Sequence, residues 1–501
     1  MNPEEFRTAA HELVDWIADY RLRAEGGGFP VRSRLAPGDV AALLPDRLPE
    51  DTTTISGLVA DLERIVVPGL THTQHPSNFA WFPANASLAS VLGDFASSGL
   101  GAIGLSWQSA PALTEVEQVV LDWLRQLSGL SDAWRGTIHD TASTACLVAL
   151  LVARERASGL SKEGGGLQSS VAPLVVYASA EAHSSVAKAA LLAGFGRKNL
   201  RLVALDPTSY AMDVSALESA IRQDLSRGRV PAAVVATVGT TASTAIDPIR
   251  DIAGIARQHG SYLHVDAAMA GSALLLPEYR HLFDGVEAAD SLTWNPHKWM
   301  GTVLDTSLFY VRDPAMLEQV MSTNPSYLAS SADGTAVQYR DWGIPLGRRF
   351  RALKLLFQLR LDGIEVIRER LRRDLSNANW LAAAVSSEPG WRVVAPVPLQ
   401  TVCVRHEPTG LSGEELDRHT LAWTEEVNTG GQAHLTTAIL GGRYMTRVSI
   451  GAEPTERRHV EALWRLMRAV ADRTASGTRS SGRSGSSGGR APRRARSRRA
   501  R

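Results

Sequence analysis

Lys298 stands among bulky neighbours in Asn295-Pro296-His297-Lys298-Trp299-Met300 and follows Asp266, in His264-Val265-Asp266-Ala267-Ala268, by thirty-two residues. Taken singly, these are a surface lysine and a strand-end turn former. Taken together, they pose a chemistry. Partial burial beside His297, Trp299 and Met300 lowers an amine's pKa and makes it a better nucleophile toward an aldehyde. An acid held against a protonated ring nitrogen gains from a low local dielectric.

The turn Asp140-Thr141-Ala142-Ser143-Thr144 opens an apolar helical run at Ala145. Small hydroxyl residues there expose backbone N–H groups at the positive end of a helix dipole, which makes a seat for phosphate. Plain N-capping is the competing explanation when the turn is read alone. An imine-forming amine, an acid that keeps a heterocycle cationic and a phosphate seat are what pyridoxal phosphate (PLP) asks of a protein. Lys298, Asp266 and Ala142-Ser143 are the candidates.

These groups need a scaffold. The short apolar runs Leu174–Tyr177, Val234–Thr237 and Tyr262–Val265 alternate with helical stretches at Ala145–Ala157 and Pro248–His259. Strands without polar alternation, divided by helices, predict an α/β domain with a largely parallel sheet covered on both faces. Ligands gather at the carboxyl ends of such strands, and Asp266 falls just after one. Beyond Arg349, Ile364, Ile367, Leu371 and Leu375 recur at helical spacing and lead into a smaller α+β unit with strands at Trp391–Val394 and Arg447–Ile450 and a closing helix over Glu456–Asp472. At the other end, Phe6, Ala10, Leu13 and Ile17 form an apolar stripe on a helix over Pro3–Tyr20, which either folds back on its own body or meets a second subunit.

The 501 residues, 44% hydrophobic and 21% charged, suit a globular protein of two or three units. No apolar run approaches a membrane span, and the acidic start is unlike a secretory signal, so the cytoplasm is expected. Cys146 and Cys403 lie in apolar stretches and read as buried and reduced; they supply neither a disulfide framework nor a zinc site, and no metal is expected. The net charge of +1 conceals nine arginines and no acid in residues 475–501, which leaves the body at −8. That Ser/Gly/Arg tail has nothing to bury and is expected to be disordered, a solvated extension rather than a nucleic-acid contact.

Seven ordered segments resemble those of the PLP-dependent aromatic L-amino acid decarboxylases: Phe79–Pro83, Gly104–Trp107, Glu181–Ser185, Gly239–Thr241, His264–Ala268, Asn295–Trp299 and Ile344–Phe350. The likeness runs from Pro3 to about Thr474. It implies fold type I, with a mainly parallel seven-stranded sheet in a large domain (83–360), a small C-terminal α+β domain (361–474) and an N-terminal helical segment (1–82) that packs on the partner of a homodimer. The active sites would lie at the subunit interface. It also implies that Lys298 is the Schiff-base lysine, Asp266 the pyridinium partner and His183 the ring-stacking histidine. Ala142, Ser143, Asn295 and His297 would surround the phosphate, with Thr241 and Ala268 near the cofactor. A tyrosine on a mobile loop protonates the substrate carbon in that family, and Tyr339, ending Ser330–Tyr339, aligns with it.

The same resemblance implies a flat apolar slot from Trp81, Phe82, Pro83, Ala84, Ile103, Leu105 and Gly347, with Ile103 and Leu105 contributed by the second subunit. Ala84 replaces a threonine that bonds a catechol hydroxyl, and Leu105 replaces a phenylalanine. Together with the room left by Gly347, these departures favour tryptophan over dihydroxyphenyl substrates, with phenylalanine and tyrosine types as lesser ones. Met269, where tyrosine is common, is unexplained. Two other readings stand: an aromatic aldehyde synthase on the same fold, disfavoured by the retained His183 and Tyr339, and a non-enzymatic scaffold acting through the basic tail.

Overall fold

The computed structural model describes residues 1–168, 172–323, 326 and 332–482. Its N-terminal part is helical: α1 (Pro3–Glu25), α2 (Ile55–Asp61) and α3 (Leu88–Leu100). The acidic start has a local purpose, because Asn2 and Glu5 form a reciprocal capping box at the head of α1. That helix folds back on its own chain through Phe6 stacked on Phe95 and Trp16 Nε1 donating to Glu63. Phe6, Val14 and Leu22 nonetheless stay largely exposed.

The large domain runs through α4 (Pro111–Ser128), β1 (Arg135–His139), α5 (Ala142–Ser158), β2 (Leu174–Ser179), α6 (Ser184–Leu192), β3 (Leu200–Val203), α7 (Val214–Ser226), β4 (Val230–Thr237), α8 (Ile249–Gln258), β5 (Tyr262–Asp266), β6 (Ser291–Trp294), β7 (Ser307–Val311) and α9 (Pro314–Met321). The seven strands form one sheet in the order β1-β7-β6-β5-β4-β2-β3. Only β7 runs against its neighbours. Both faces are covered, with Val234 and Leu263 in the core on one side and Val235 and Tyr262 in that on the other, which is why these strands lack polar alternation. Asp266 is the last residue of β5 rather than the first after it.

After α10 (Ala352–Leu361), the long α11 (Ile364–Ser387) carries the chain into a second, antiparallel sheet. Its strands β8 (Trp391–Val393), β9 (Thr401–His406), β10 (Thr436–Leu440) and β11 (Arg443–Ser449) are ordered β10-β11-β9-β8. With α12 (Gly413–Gly430) and α13 (Arg457–Gly482), they enclose a core of Trp391, Trp423, Val448 and Met467. Phe79 joins that core, and its backbone bonds to His434 and Ser449. The closing helix runs ten residues past Asp472, into the segment expected to be disordered, because its apolar stripe continues through Ala471 and Ala475. Residues 483–501 lie outside the described ones. Cys146 and Cys403 are buried and unpaired. Among the described residues, no helix is long and apolar enough to cross a membrane.

Two outcomes follow from this packing. A Cβ on Gly271 would lie 2.4 Å from the buried Trp294 ring, so Gly271→Ala should cost about 1–3 kcal/mol in denaturant unfolding. Burial holds His139 at about 3 and His75, His264, His297, His419 and His434 at about 4, below the ordinary histidine value. The unfolded chain therefore takes up protons between about pH 6.5 and 4 that the folded chain refuses. Burial raises Asp247 to about 6 and Asp374 to about 7, and moves Glu181, Asp341 and Asp362 the same way, which acts in the opposite sense but with fewer groups than the buried histidines. The thermal midpoint should fall by several degrees from pH 7 to pH 5.

Candidate active site

Parallel pairing puts Thr237 of β4 level with Asp266 of β5, and Asp266 level with Thr293 of β6. Three strands thus end on one line. The segments beyond them are tied together by Asn295 N–H donating to the Ala268 carbonyl (2.9 Å), so the Asp266 and Lys298 motifs are fixed to each other by main chain. Ala268 N–H donates to the Asp266 carboxylate (3.0 Å).

A cavity of about 230 Å³ opens at this edge, lined by Phe82, Thr141, Ala142, Ser143, His183, Ser185, Thr237, Gly239, Thr241, Asp266, Ala268, Met269, Asn295, His297 and Lys298. Lys298 lies deep in the protein, in the turn Pro296–Met300, where its backbone leaves the helical path. Burial lowers the pKa of its amine, Asp266 partly restores it, and Arg447 lowers it further. An amine so placed is more often neutral and nucleophilic than a surface lysine. His183 caps α6, with Nδ1 accepting from Ser185 N–H, and burial also lowers its pKa against the pull of Asp266. His297 accepts at Nδ1 from Thr306 N–H (3.0 Å).

Thr141 occupies the cap of α5 without a side-chain bond, and Ala142 and Ser143 form the first turn. The leading N–H groups of a helix have no acceptor within it, so this wall presents donors to an anion. Thr237 Oγ1 and Asn295 Oδ1 are buried with no hydrogen-bond partner among the described residues. An amine, a carboxylate, a helix-end anion seat and two unused polar atoms around one cavity fit PLP. Lys298 would hold its aldehyde, Asp266 its ring nitrogen, and the α5 terminus its phosphate.

Several expected members are elsewhere. Tyr339 is buried in a short turn against Trp342, with its hydroxyl donating to the Gly136 carbonyl (3.1 Å) and the Arg348 guanidinium over its ring. It does not line the Lys298 cavity, and burial raises its pKa well above the usual value. A hydroxyl locked into a core is not a lid group, so the assignment of Tyr339 as the loop tyrosine is corrected. Ser330 and Ser331 of the expected lid lie outside the described residues, as does Tyr327. Of the slot residues, Phe82 alone lines the cavity. Trp81 is half exposed at φ +54° with its edge on His434, Pro83 is buried under Gly451, and Ala84 is exposed. Ile103, Leu105 and Gly347 cluster apart from the cavity, where a Cβ on Gly347 would lie 3.3 Å from Ile103 and 3.9 Å from Leu105.

Other members were not singled out from sequence. Met269, conspicuous but unexplained there, is a buried cavity wall. Thr237 could have been found from strand register, since it ends the strand beside Asp266, and Gly239, part of a segment already matched, follows it. Arg447, buried in β11, lies 5.0 Å from the Phe82 ring centroid, while Lys298 Nζ lies 5.4 Å from the same centroid. Its Nη2 has no hydrogen-bond partner among the described residues.

Residues 37–407 match the family described as the pyridoxal-dependent decarboxylase conserved domain. The chain is 40% identical over 477 residues to tryptophan decarboxylase 2 of Oryza sativa subsp. japonica, covering 93% of this chain and 95% of that protein. It is 39% identical over 476 residues to phenylacetaldehyde synthase of Arabidopsis thaliana, covering 93% and 96%. The crystal structure of Oryza sativa TDC with PLP and tryptamine superposes with a TM-score of 0.91 at 35% identity, covering 94% of this chain and 99% of that one. A buried amine and carboxylate at one sheet edge, beside an open helix terminus, are thus the local form of a likeness that spans nearly the whole chain, which belongs to the pyridoxal-dependent decarboxylases.

Proposed function

We propose that the protein removes CO2 from an aromatic L-amino acid, tryptophan foremost, to give the arylalkylamine. The observation that carries this reading is the shared cavity of Lys298 and Asp266, walled by the aromatic ring of Phe82. The tryptophan decarboxylase relative and the tryptamine-bound structure support it. Bound PLP would supply an aldehyde for the substrate amine and a cationic ring that takes up the electron pair left on the substrate's α-carbon when CO2 departs. The chain's own groups do the rest. The lowered pKa of Lys298 keeps a fraction of its amine unprotonated and able to exchange with the incoming amine. Asp266 holds a proton on the ring nitrogen by placing negative charge in a buried setting. Arg447, with an unsatisfied N–H beside Phe82, draws the substrate carboxylate toward this end of the cavity.

A homodimer belongs to this proposal. An apolar groove of about 640 Å³ between α1 and α3, lined by Phe6, Leu13, Ile17, Leu88, Leu92 and Phe95, lies open on the surface, as does much of Ile103. A second copy would cover the groove and bring Ile103, Leu105 and Gly347 to the neighbouring cavity, completing the slot. Two free, buried cysteines agree with a cytoplasmic setting.

Oxidative deamination to the aldehyde is the second reading, favoured by the Arabidopsis phenylacetaldehyde synthase relative. With Tyr339 locked in the core, Tyr327, in the same connection, is the tyrosine we assign to proton delivery. The PLP-loaded protein with L-tryptophan should release amine and CO2 in equal amounts, without peroxide; stoichiometric peroxide, ammonia and aldehyde would establish the synthase instead. Lys298→Ala should abolish both the visible cofactor band and amine formation. Tyr327→Phe should lower amine output or divert it to aldehyde, measured as product ratio, whereas Tyr339→Phe should keep the native ratio and lose about 0.5–1.5 kcal/mol of stability.

A further inference from the structure

The turn that carries Lys298 is gripped from the side opposite its chemistry. Immediately after the lysine, Trp299 is fully buried, and its Nε1–H donates to Asp374 Oδ2 on α11 at 2.9 Å. One turn earlier on the same helix, Arg370 donates to the carbonyls of Trp299 (2.8 Å) and Met300 (2.6 Å). Gly301 lets it approach, since a Cβ there would lie 2.9 Å from the guanidinium. Gln358 of α10 donates to the Met300 carbonyl (3.2 Å) and accepts from Thr302 Oγ1 (2.6 Å).

Asp374 is unusual among these. It is wholly buried, and its Oδ1 has no hydrogen-bond partner among the described residues. A carboxylate in that position costs stability unless it is doing something an apolar residue would not. Burial pushes its carboxyl up to about 7; Arg370, the Trp299 N–H and Arg373 pull the other way, and Glu453 adds to the rise. Oδ2 can accept from Trp299 whether or not Oδ1 carries a proton. The indole is therefore oriented in either state.

We propose that Asp374 is a positioning residue for the reactive amine: by fixing the Trp299 indole from α11, with Arg370 fixing the adjoining carbonyls, it sets where Lys298 projects into the cavity. This rests on the reading of Lys298 as the cofactor lysine and adds to it the part of the small-domain helix that aims it. A side chain at the end of a flexible four-carbon stem is only as well placed as its backbone, and small misplacements cost disproportionately in rate.

The experiment compares Asp374→Leu, Trp299→Phe, their double variant and Asp374→Asn, the last keeping an acceptor oxygen in a neutral side chain. In the PLP-loaded enzyme with L-tryptophan, Asp374→Leu and Trp299→Phe should each lower kcat per bound cofactor by about ten- to hundredfold with KM little moved. The double variant should lose no more than the worse single one, because both remove one bond. Asp374→Asn should recover most of the loss. The second readout needs no cofactor: acetic anhydride labelling of Lys298 in the cofactor-free chain, followed against pH by peptide mass spectrometry. Its midpoint should rise toward an ordinary lysine's in Asp374→Leu and Trp299→Phe, as the amine is freed from its buried placement, and stay near native in Asp374→Asn. Losses that multiply in the double variant, or a native labelling midpoint in both single variants, would overturn the proposal. Should the substrate reading itself fail, the native chain would form no amine from L-tryptophan while the labelling would still report on the grip.

Discussion

Burying the Lys298 amine is the constraint on which the site depends. Out of water an ammonium is costly, and the protein meets that cost with Asp266 across the cavity and by letting the amine lose its proton more readily. The arrangement works only if the two side chains keep their distance, and one ends β5 while the other sits in the turn that follows β6. The main-chain bond from Asn295 to Ala268 joins those strands just beyond their ends, so the separation is set by sheet geometry rather than by side-chain packing. The buried Trp294 ring against Gly271 locks the same two segments from behind.

Around that pair the fold divides its labour. The large sheet delivers Thr237, Asp266 and Asn295 to one edge, and the head of α5 brings N–H groups to the same place. The small domain contributes from the other side: Arg447 reaches Phe82 from β11, and Asn85 bonds at once to the Lys298 carbonyl (3.4 Å) and the Gly451 carbonyl (2.7 Å). The cavity lining itself comes from Phe82 and the large domain, and the small domain backs it from behind.

Much of this was legible beforehand. The unalternating strands announced a parallel sheet because both faces are buried, and Asp266 and Lys298 could be paired because strand-end acids and buried lysines are each uncommon. Longer-range relations were not legible. Tyr339 looked like a lid residue because it aligns with the family's loop tyrosine, yet its own side chain is apolar enough to be drawn into a core with Trp342, where a carbonyl satisfies its hydroxyl. Arg447 was hidden in a strand of mixed composition, since sequence does not say which sheet face meets which ring. The slot residues Ile103, Leu105 and Gly347 share a surface, but a single chain gives them no cavity to line.

The backbone bonds between Phe79 and the small sheet have a further consequence for synthesis. Phe79 pairs with His434 and Ser449, and the latter is about 370 residues downstream. A chain leaving the ribosome at about 5–20 residues per second therefore carries that phenylalanine without its permanent neighbours for tens of seconds. Throughout that interval the large sheet can assemble while the segment around Phe79 remains unpaired and apolar, until the small sheet supplies its partners.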